Sequence, residues 1–506
     1  MRKIFRSTFG RLFNKNWVLA AILTISAASV FTSCSNNDDN SITPQPEPQT
    51  TLQVGSYVWG STIYGMGADG ATRLAEAYEK AGIQHAILLV KGESGTIGYF
   101  KNTLSNAPMT RTDRDILSET VSAMHERGIK VYAWLTIGSD AAWLTTHPEQ
   151  GSYHFRRGFS DEVVDLYQTE YQKYMASIMK EIEQNYSVDG FAIDMMRYRG
   201  IYWGWSESDY QRLTAPESEG GYGLTLDEYN QLVTLMAKEY NYPTAPDANG
   251  RLVYSADAEA PGQTEGTMEN ALKQGVKGVV AFAKMREKVV DDFSEYLVSQ
   301  TQKPVYVASM PECTYSPAWA TLSYGMTYNQ AYTFDVVCPM LYTADFSENS
   351  EWVASNISYL KNLGYATVIP SLQAYRSGST ETLAADIKAT LNAGCHGYLL
   401  FRTGTYDVAH CTAVGNAIEL TYVRGTDYTC GNLTVTVSGV TPTSVIMGGK
   451  LATTLYELQG QTIVFSADAL EKLGDYGTVT IKTSGSGKPS ASVISDERIV
   501  YNVPMQ

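Results

Sequence analysis

From residue 54 to about 410 the chain repeats one rhythm: a short run of strand-forming residues, then a longer segment with apolar residues at helical spacing. The strand-like runs are 54–64, 83–91, 129–137, 188–194, 304–309, 334–341, 366–371 and 396–401. Helical patterns fall at 69–81, 113–127, 163–186, 226–239, 268–300, 351–363 and 382–393, with Gly82, Gly128 and Gly394 placed to stop three of them. Parallel strands need a crossover connection, and a helix is the usual one. Eight strands alternating with helices therefore predict an α/β fold, a (β/α)8 TIM barrel with insertions. A doubly wound open sheet is the alternative, but no Gly-rich phosphate turn follows the first strand.

The rhythm stops near 417. Beyond it, short runs at 433–437, 453–458, 462–465, 477–483 and 492–503 are separated by Gly, Ser and Thr, which predicts a small C-terminal β-sandwich, immunoglobulin-like, over 418–506. The barrel is then expected over 54–417.

The N-terminus reads as an address. Arg2, Lys3, Arg6 and Arg11 precede an apolar run, 17–31, too short to read as a membrane-spanning helix. Small residues then lead to Cys34, followed by Asp38 and Asp39 and a tether holding Pro44, Pro46 and Pro48. The pattern predicts a signal segment over 1–33, a lipidated Cys34 and a flexible stretch to 53. The partner implied is a membrane, through a lipid anchor on the outer face of the cell envelope. Ordinary secretion with a cleaved leader is the alternative.

Of 506 residues 44% are hydrophobic, enough for a large core, and the formal charge is −15 with no basic run after the leader, which argues against nucleic acid. The cysteines after Cys34 are Cys313, Cys338, Cys395, Cys411 and Cys430; without a CxxC pair they read as buried thiols. No HxH or HExxH spacing appears among the six histidines, of which His396 reads as a core residue, and no GxSxG elbow or phosphate loop is present; the sequence calls for no metal and no cofactor. Tyrosine outnumbers both other aromatic types, 35 against 14 Phe and 8 Trp, a composition suited to surfaces that stack on sugars.

In a parallel barrel the residues after each strand face one rim, where substrate binds. That rim gathers Trp59 from strand one, Lys91 and Glu93 from strand two, Trp134 and Asp140 from strand three, and Asp194 and Arg197 from strand four. Met310, Pro311 and Glu312 follow strand five, Tyr342 and Asp345 strand six, and Arg402 strand eight. Singly each reads as a cap or an ion-pair member; together they predict a site. Glycosidic cleavage needs two carboxyl groups, one to protonate the departing oxygen and one to attack or activate water. Asp194 is the expected nucleophile or base and Glu312 the expected acid, with Asp345 next in line. Lys91 or Arg197 would keep Asp194 ionised, and an apolar shelf from Met310 and Pro311 would raise the pKa of Glu312. The other rim residues are expected to contact a carbohydrate, joined by Tyr202, Trp203 and Trp205 from the long loop after strand four.

The stretch Val188-Asp189-Gly190-Phe191-Ala192-Ile193-Asp194-Met195-Met196-Arg197-Tyr198 resembles the strand-four block of the glycosyl-hydrolase-like, family-ten-related barrel enzymes. The preceding helix, with Val163, Tyr171 and Tyr186, the pair Met285-Arg286 leading to Lys303-Pro304-Val305-Tyr306, and Trp319 followed by Phe334-Asp335-Val336-Val337-Cys338-Pro339-Met340-Leu341-Tyr342 are similar to further blocks of that group. Val90-Lys91-Gly92-Glu93-Ser94-Gly95 looks like the second-strand motif of a related group, and Cys34 with its acidic followers resembles the export signal of Bacteroides-type surface lipoproteins. The resemblance implies a TIM-barrel glycosidase with Asp194 in its catalytic centre. Many members carry a second acid directly after that aspartate, where this chain has Met195-Met196; a barrel that binds glycans without cleaving them is the alternative.

Overall fold

The computed structural model describes residues 52–100, 105–327, 333–363, 367–375, 380–395, 397–425, 432–472, 476–495 and 500–503. Cys34 with the leader and tether, His396 and Cys430 lie outside them. No helix among the described residues is long and apolar enough to cross a membrane.

Eight strands close into a barrel: β1 (Gln53–Trp59), β2 (His85–Lys91), β3 (Lys130–Thr136), β4 (Gly190–Asp194), β5 (Val305–Ser309), β6 (Val336–Leu341), β7 (Ser371–Gln373) and β8 (Gly397–Phe401). Each pairs in parallel with the next, and β8 pairs with β1. Side chains alternate between faces with period two, so one set fills the lumen and the other meets the helices. The lumen holds Tyr57, Ile87, Tyr132, Trp134, Ala192, Tyr306, Val336, Cys338, Ile369 and Leu399. It is unusually aromatic: the rings of Tyr132 and Tyr306 lie 4.4 Å apart, and Trp134 meets Tyr57 edge-on at 5.1 Å. Some of the tyrosine excess thus fills the barrel rather than a surface. Gly190 at the foot of β4 makes room for this, since a Cβ there would lie 2.8 Å from the Tyr132 ring and 2.4 Å from the Pro304 carbonyl.

Two expected helices begin or break elsewhere. The helix expected over 163–186 is Thr169–Asn185, because Val163 and Val164 end a hairpin made by Gly151–His154 and Gly158–Val164. The run expected over 268–300 is two helices, Thr267–Lys273 and Lys277–Val298, separated by Gly275 at φ 73°. With the helices Glu207–Thr214 and Leu226–Tyr240, these build a cap between β4 and β5 with its own core of Phe155, Trp205, Leu232, Met236 and Phe282.

The chain enters the C-terminal domain earlier than expected. Asp407–Val414 and Ala417–Val423 already pair antiparallel in a six-stranded sheet, so the sandwich takes its first strand from before residue 418. A four-stranded sheet packs on it through Leu433, Val435, Ile463 and Phe465, which share a core with Ile418, Leu420 and Tyr422. Where the chain leaves β8, Thr403 Oγ1 meets Ser56 Oγ at 2.6 Å and Tyr78 OH at 2.5 Å, and Tyr406 OH meets Ser56 at 2.8 Å, a buried hydroxyl cluster that ties the exit to β1.

Candidate active site

At the end of β4 the backbone turns sharply. Met195 adopts φ 56°, a left-handed conformation that costs a non-glycine residue roughly 1 kcal/mol or more and tends to persist at functional sites. The turn is braced by neighbours: Ile137 N donates to the Asp194 carbonyl at 2.8 Å and Gly138 N to the Met195 carbonyl at 3.0 Å. Met195 N in turn donates to Asp194 Oδ1 at 2.7 Å. The Asp194 carboxylate is thereby held at the mouth, half-buried, with Arg197 Nη1 3.5 Å away. Arg197 Nη1 makes no hydrogen bond among the described residues.

Glu312 opens a one-turn helix after β5, behind Pro311, and is 5% exposed. Tyr324 OH donates to its Oε1 at 3.1 Å, while Oε2 is buried with no hydrogen-bond partner among the described residues. Burial pushes its pKa above the usual carboxylate range; the backbone N–H of Glu312 itself, then the Tyr324 hydrogen bond and the Arg197 charge, oppose this without cancelling it. Arg197 thus lies beside Asp194 and within electrostatic reach of Glu312, linking the two carboxyl groups.

Tyr324 is placed from a distance. Its carbonyl accepts from Tyr198 N at 2.9 Å, and the Ser323 carbonyl accepts from Arg286 Nη2 at 2.8 Å. Arg286 is fully buried and also donates to the carbonyls of Gly200 and Trp203, while its guanidinium stacks 3.9 Å from the Tyr198 ring. Burial lowers its pKa to about 10. One cation thus fastens the loop after β4 to the segment that carries Tyr324. Met195 and Tyr324 have no sequence signal that marks them; Arg286 was visible only as part of a motif.

The rest of the rim divides. Trp59, 36% exposed, stands at the mouth with the Arg402 guanidinium 3.4 Å over its ring. Tyr342 stacks on Phe401 at 5.4 Å, close enough to Asp194 and Asp345 for both charges to raise its pKa, though burial raises it more. Asp345 is exposed, accepts from Gln373 Nε2 at 3.1 Å and from Tyr375 OH. Glu93 is at the edge, paired with Arg199.

Four expected contacts are not at the surface. Lys91 and Asp140 are both fully buried and paired at 3.1 Å. A bulge at the end of β2 sets Lys91 opposite Leu135, and such a one-residue slip turns a side chain to the other face. Lys91 therefore reaches the carbonyls of Thr136 and Ser139 and Tyr171 OH, outside the lumen, and not Asp194. Asp140 Oδ1 caps the helix Ala141–Thr146 through Trp143 N at 2.8 Å. Trp134 is 4% exposed and lies in the lumen. Trp205 is 7% exposed, donates to the Ile201 carbonyl and stacks on Phe282 at 4.8 Å. Tyr202 and Trp203 are half-buried against His154. Among the described residues no three His, Cys, Asp or Glu side chains gather as a metal site.

No protein-family model matches the chain, and no curated protein is similar to it in sequence. Solved structures share the barrel at low identity. The glycoside hydrolase domain of PgaB (BpsB) from Bordetella bronchiseptica is 13% identical with a TM-score of 0.49, over 69% of this chain and 94% of that one. The catalytic domain of β-amylase from Paenibacillus polymyxa is 11% identical with a TM-score of 0.46, over 70% and 93%. For the β-galactosidase of the psychrophilic Marinomonas ef1 the values are 15% and 0.46, and this chain spans 54% of its length. At these identities and scores none of the three bears on the chemistry of this chain.

Proposed function

We propose that the barrel mouth hydrolyses glycosidic bonds in an oligo- or polysaccharide, with Glu312 as general acid and Asp194 as the second carboxylate. The observation that carries this reading is the state of Glu312: a buried carboxyl with a raised pKa and one oxygen, Oε2, with no hydrogen-bond partner among the described residues. When protonated, Oε2 has a proton to give and no acceptor for it among the described residues. A glycosidic oxygen presented at the mouth supplies the acceptor, and the bond to the anomeric carbon breaks as the proton moves. The Glu312 carboxylate that remains is stabilised by Tyr324 OH and the Arg197 charge. Asp194 attacks the anomeric carbon or takes a proton from the water that does, and Arg197 balances its charge.

Release of reducing ends from plant, host and peptidoglycan glycans tests the activity. Asp194→Asn and Glu312→Gln, made separately, are each expected to lower kcat by a factor on the order of 10² or more with binding retained. Turnover that survives Asp194→Asn refutes that assignment. A wild-type chain that binds a glycan and cuts none refutes hydrolysis and leaves a glycan-binding barrel.

We also propose, from the N-terminal sequence alone, that lipid on Cys34 holds the chain at the cell envelope. Labelling with a fatty acid analogue tests it: Cys34→Ala abolishes the label, and a label that persists refutes the anchor.

A further inference from the structure

A row of tyrosines runs over the cap, starting in the loop that leaves Asp194. The ring of Tyr202 lies 5.1 Å from Tyr240, Tyr240 lies 5.7 Å from Tyr242, and Tyr242 lies 6.3 Å from Tyr254. Local structure explains the row. The helix Leu226–Tyr240 stops at Asn241, whose left-handed φ of 55° turns the chain so that Tyr240 and Tyr242 lie together. A two-stranded hairpin, Thr244–Pro246 with Leu252–Tyr254, then returns Tyr254 beside Tyr242. All four rings are half-buried, and none of their hydroxyls has a protein hydrogen-bond partner among the described residues. The rings meet in turn edge-on, stacked and edge-on, at interplanar angles of 87°, 26° and 86°, and Tyr240, Tyr242 and Tyr254 pack on the cap core. The row thus offers a line of ring edges and hydroxyls able to hydrogen-bond sugar hydroxyls.

Beside the row sits a built cationic turn. His154, 2% exposed, accepts at Nδ1 from Arg156 N at 3.0 Å and from Arg157 N at 3.3 Å. Burial, with the nearby arginine charges, lowers its pKa to about 4, so its ring is neutral and keeps this acceptor at ordinary pH. The turn holds both arginine side chains in solvent, with no ion pair among the described residues, in a chain of net charge −15. Arg156 stands 6.0 Å over the Tyr254 ring, and the Arg157 charge reaches Tyr202 and Tyr242.

We infer that this face binds an acidic polysaccharide, whose sugar hydroxyls meet the row Tyr202, Tyr240, Tyr242 and Tyr254 and whose anionic groups pair with Arg156 and Arg157. The strip guides an anionic chain toward the mouth, and so deepens the proposed hydrolysis by naming a substrate class. Two free arginines suit widely spaced anionic groups; the dense phosphates of a nucleic acid call for a longer cationic stripe.

Affinity electrophoresis of the full chain carrying Glu312→Gln tests binding apart from turnover. Polygalacturonate presents carboxylates alone, dextran sulfate presents sulfates alone, and dextran is the neutral control. Retardation by polygalacturonate, by dextran sulfate or by both, with none by dextran, is expected, and it weakens as salt screens the pairing. Arg156→Gln/Arg157→Gln, both at exposed positions, should weaken it about tenfold or more, and Tyr254→Phe, which keeps the packed ring and removes the hydroxyl, should weaken it with thermal stability little changed. Absence of retardation by both acidic polymers overturns the inference, as do equal retardation of the arginine variant and tighter binding of single-stranded DNA. If the strip binds but the wild type releases no reducing ends, hydrolysis fails while the binding site stands.

Discussion

Two carboxylate–cation pairs stand at neighbouring strand ends of this barrel, and in the sequence they look alike. In Lys91–Asp140 both side chains are sealed, and the ammonium meets a carboxylate, two carbonyls and a tyrosine hydroxyl. In Arg197–Asp194 both are part-exposed, at 15% and 19%, and the pair is longer at 3.5 Å; among the described residues Arg197 Nη1, the nearby Glu312 Oε2 and, in the sealed pair, Asp140 Oδ2 make no hydrogen bond. Charges sealed from solvent cannot reach a substrate and part-exposed ones can, so the first pair is closed structure and the second faces the mouth. The sequence shows the charges; only burial tells the roles apart.

The largest expected effect breaks the closed pair. Lys91→Ala leaves the Asp140 charge buried and should cost about 3–5 kcal/mol in chemical denaturation. Lys91→Met with Asp140→Asn, which keeps the helix cap, should recover part of that loss. A Lys91→Ala chain of normal stability but no activity would return Lys91 to the mouth and dissolve the contrast.

On the open side, Tyr324→Phe removes a hydrogen bond to a carboxylate, an interaction worth about 1.5–3 kcal/mol, and should lower kcat about tenfold or more. Because that bond lowers the Glu312 pKa, its loss raises the pKa further and moves the alkaline limb of the pH–rate profile to higher pH. An unmoved limb would detach Tyr324 from the acid.

Glu312→Gln should stabilise the fold at neutral pH while lowering turnover on the order of 10²-fold or more. A carboxyl whose folded pKa is raised contributes stability that is full below its unfolded pKa and is lost as pH rises through the folded value. Removing the group removes that loss, so the Tm of the variant should exceed wild type at pH 7 and approach it in acid. The reverse ordering would show that the Glu312 carboxylate is welcome where it sits.

The smallest effect is expected at Met195. Met195→Gly relieves a left-handed backbone, so stability should rise by up to about 1 kcal/mol in thermal denaturation while kcat falls as the Asp194 turn loosens. A destabilised variant would mean that the Met195 side chain outweighs its strain.

Much of the fold was legible because its signals are local. The apolar runs ending in Lys91, Asp194 and Ser309 lie at their strands within a residue or two, and helices such as Leu226–Tyr240 are marked by Thr225 and Glu228, which form a capping box. Asp407–Val414 was missed because its pattern, with Ala409 and Cys411 inward, is too short and small to stand out from the barrel's last connection. At the strand ends Trp59 and Asp345 stand exposed and Asp194, Arg197, Tyr342 and Arg402 part-exposed, as the alternation suggests, whereas Lys91, Trp134, Asp140, Glu312 and Trp205 are buried by contacts the sequence does not show.

What the sequence determined by itself is the alternation of strands and helices, which calls for a parallel sheet covered by helices, and the chemical types offered at the ends of its strands. What the tertiary structure alone decided is which of those groups keep company. A one-residue bulge turned Lys91 away from the lumen, and Arg286, far along the chain, brought Tyr324 beside Glu312. Periodicity is written in neighbouring residues, whereas burial and partnership, which set the proton affinity of a carboxyl group, are supplied by residues distant in sequence.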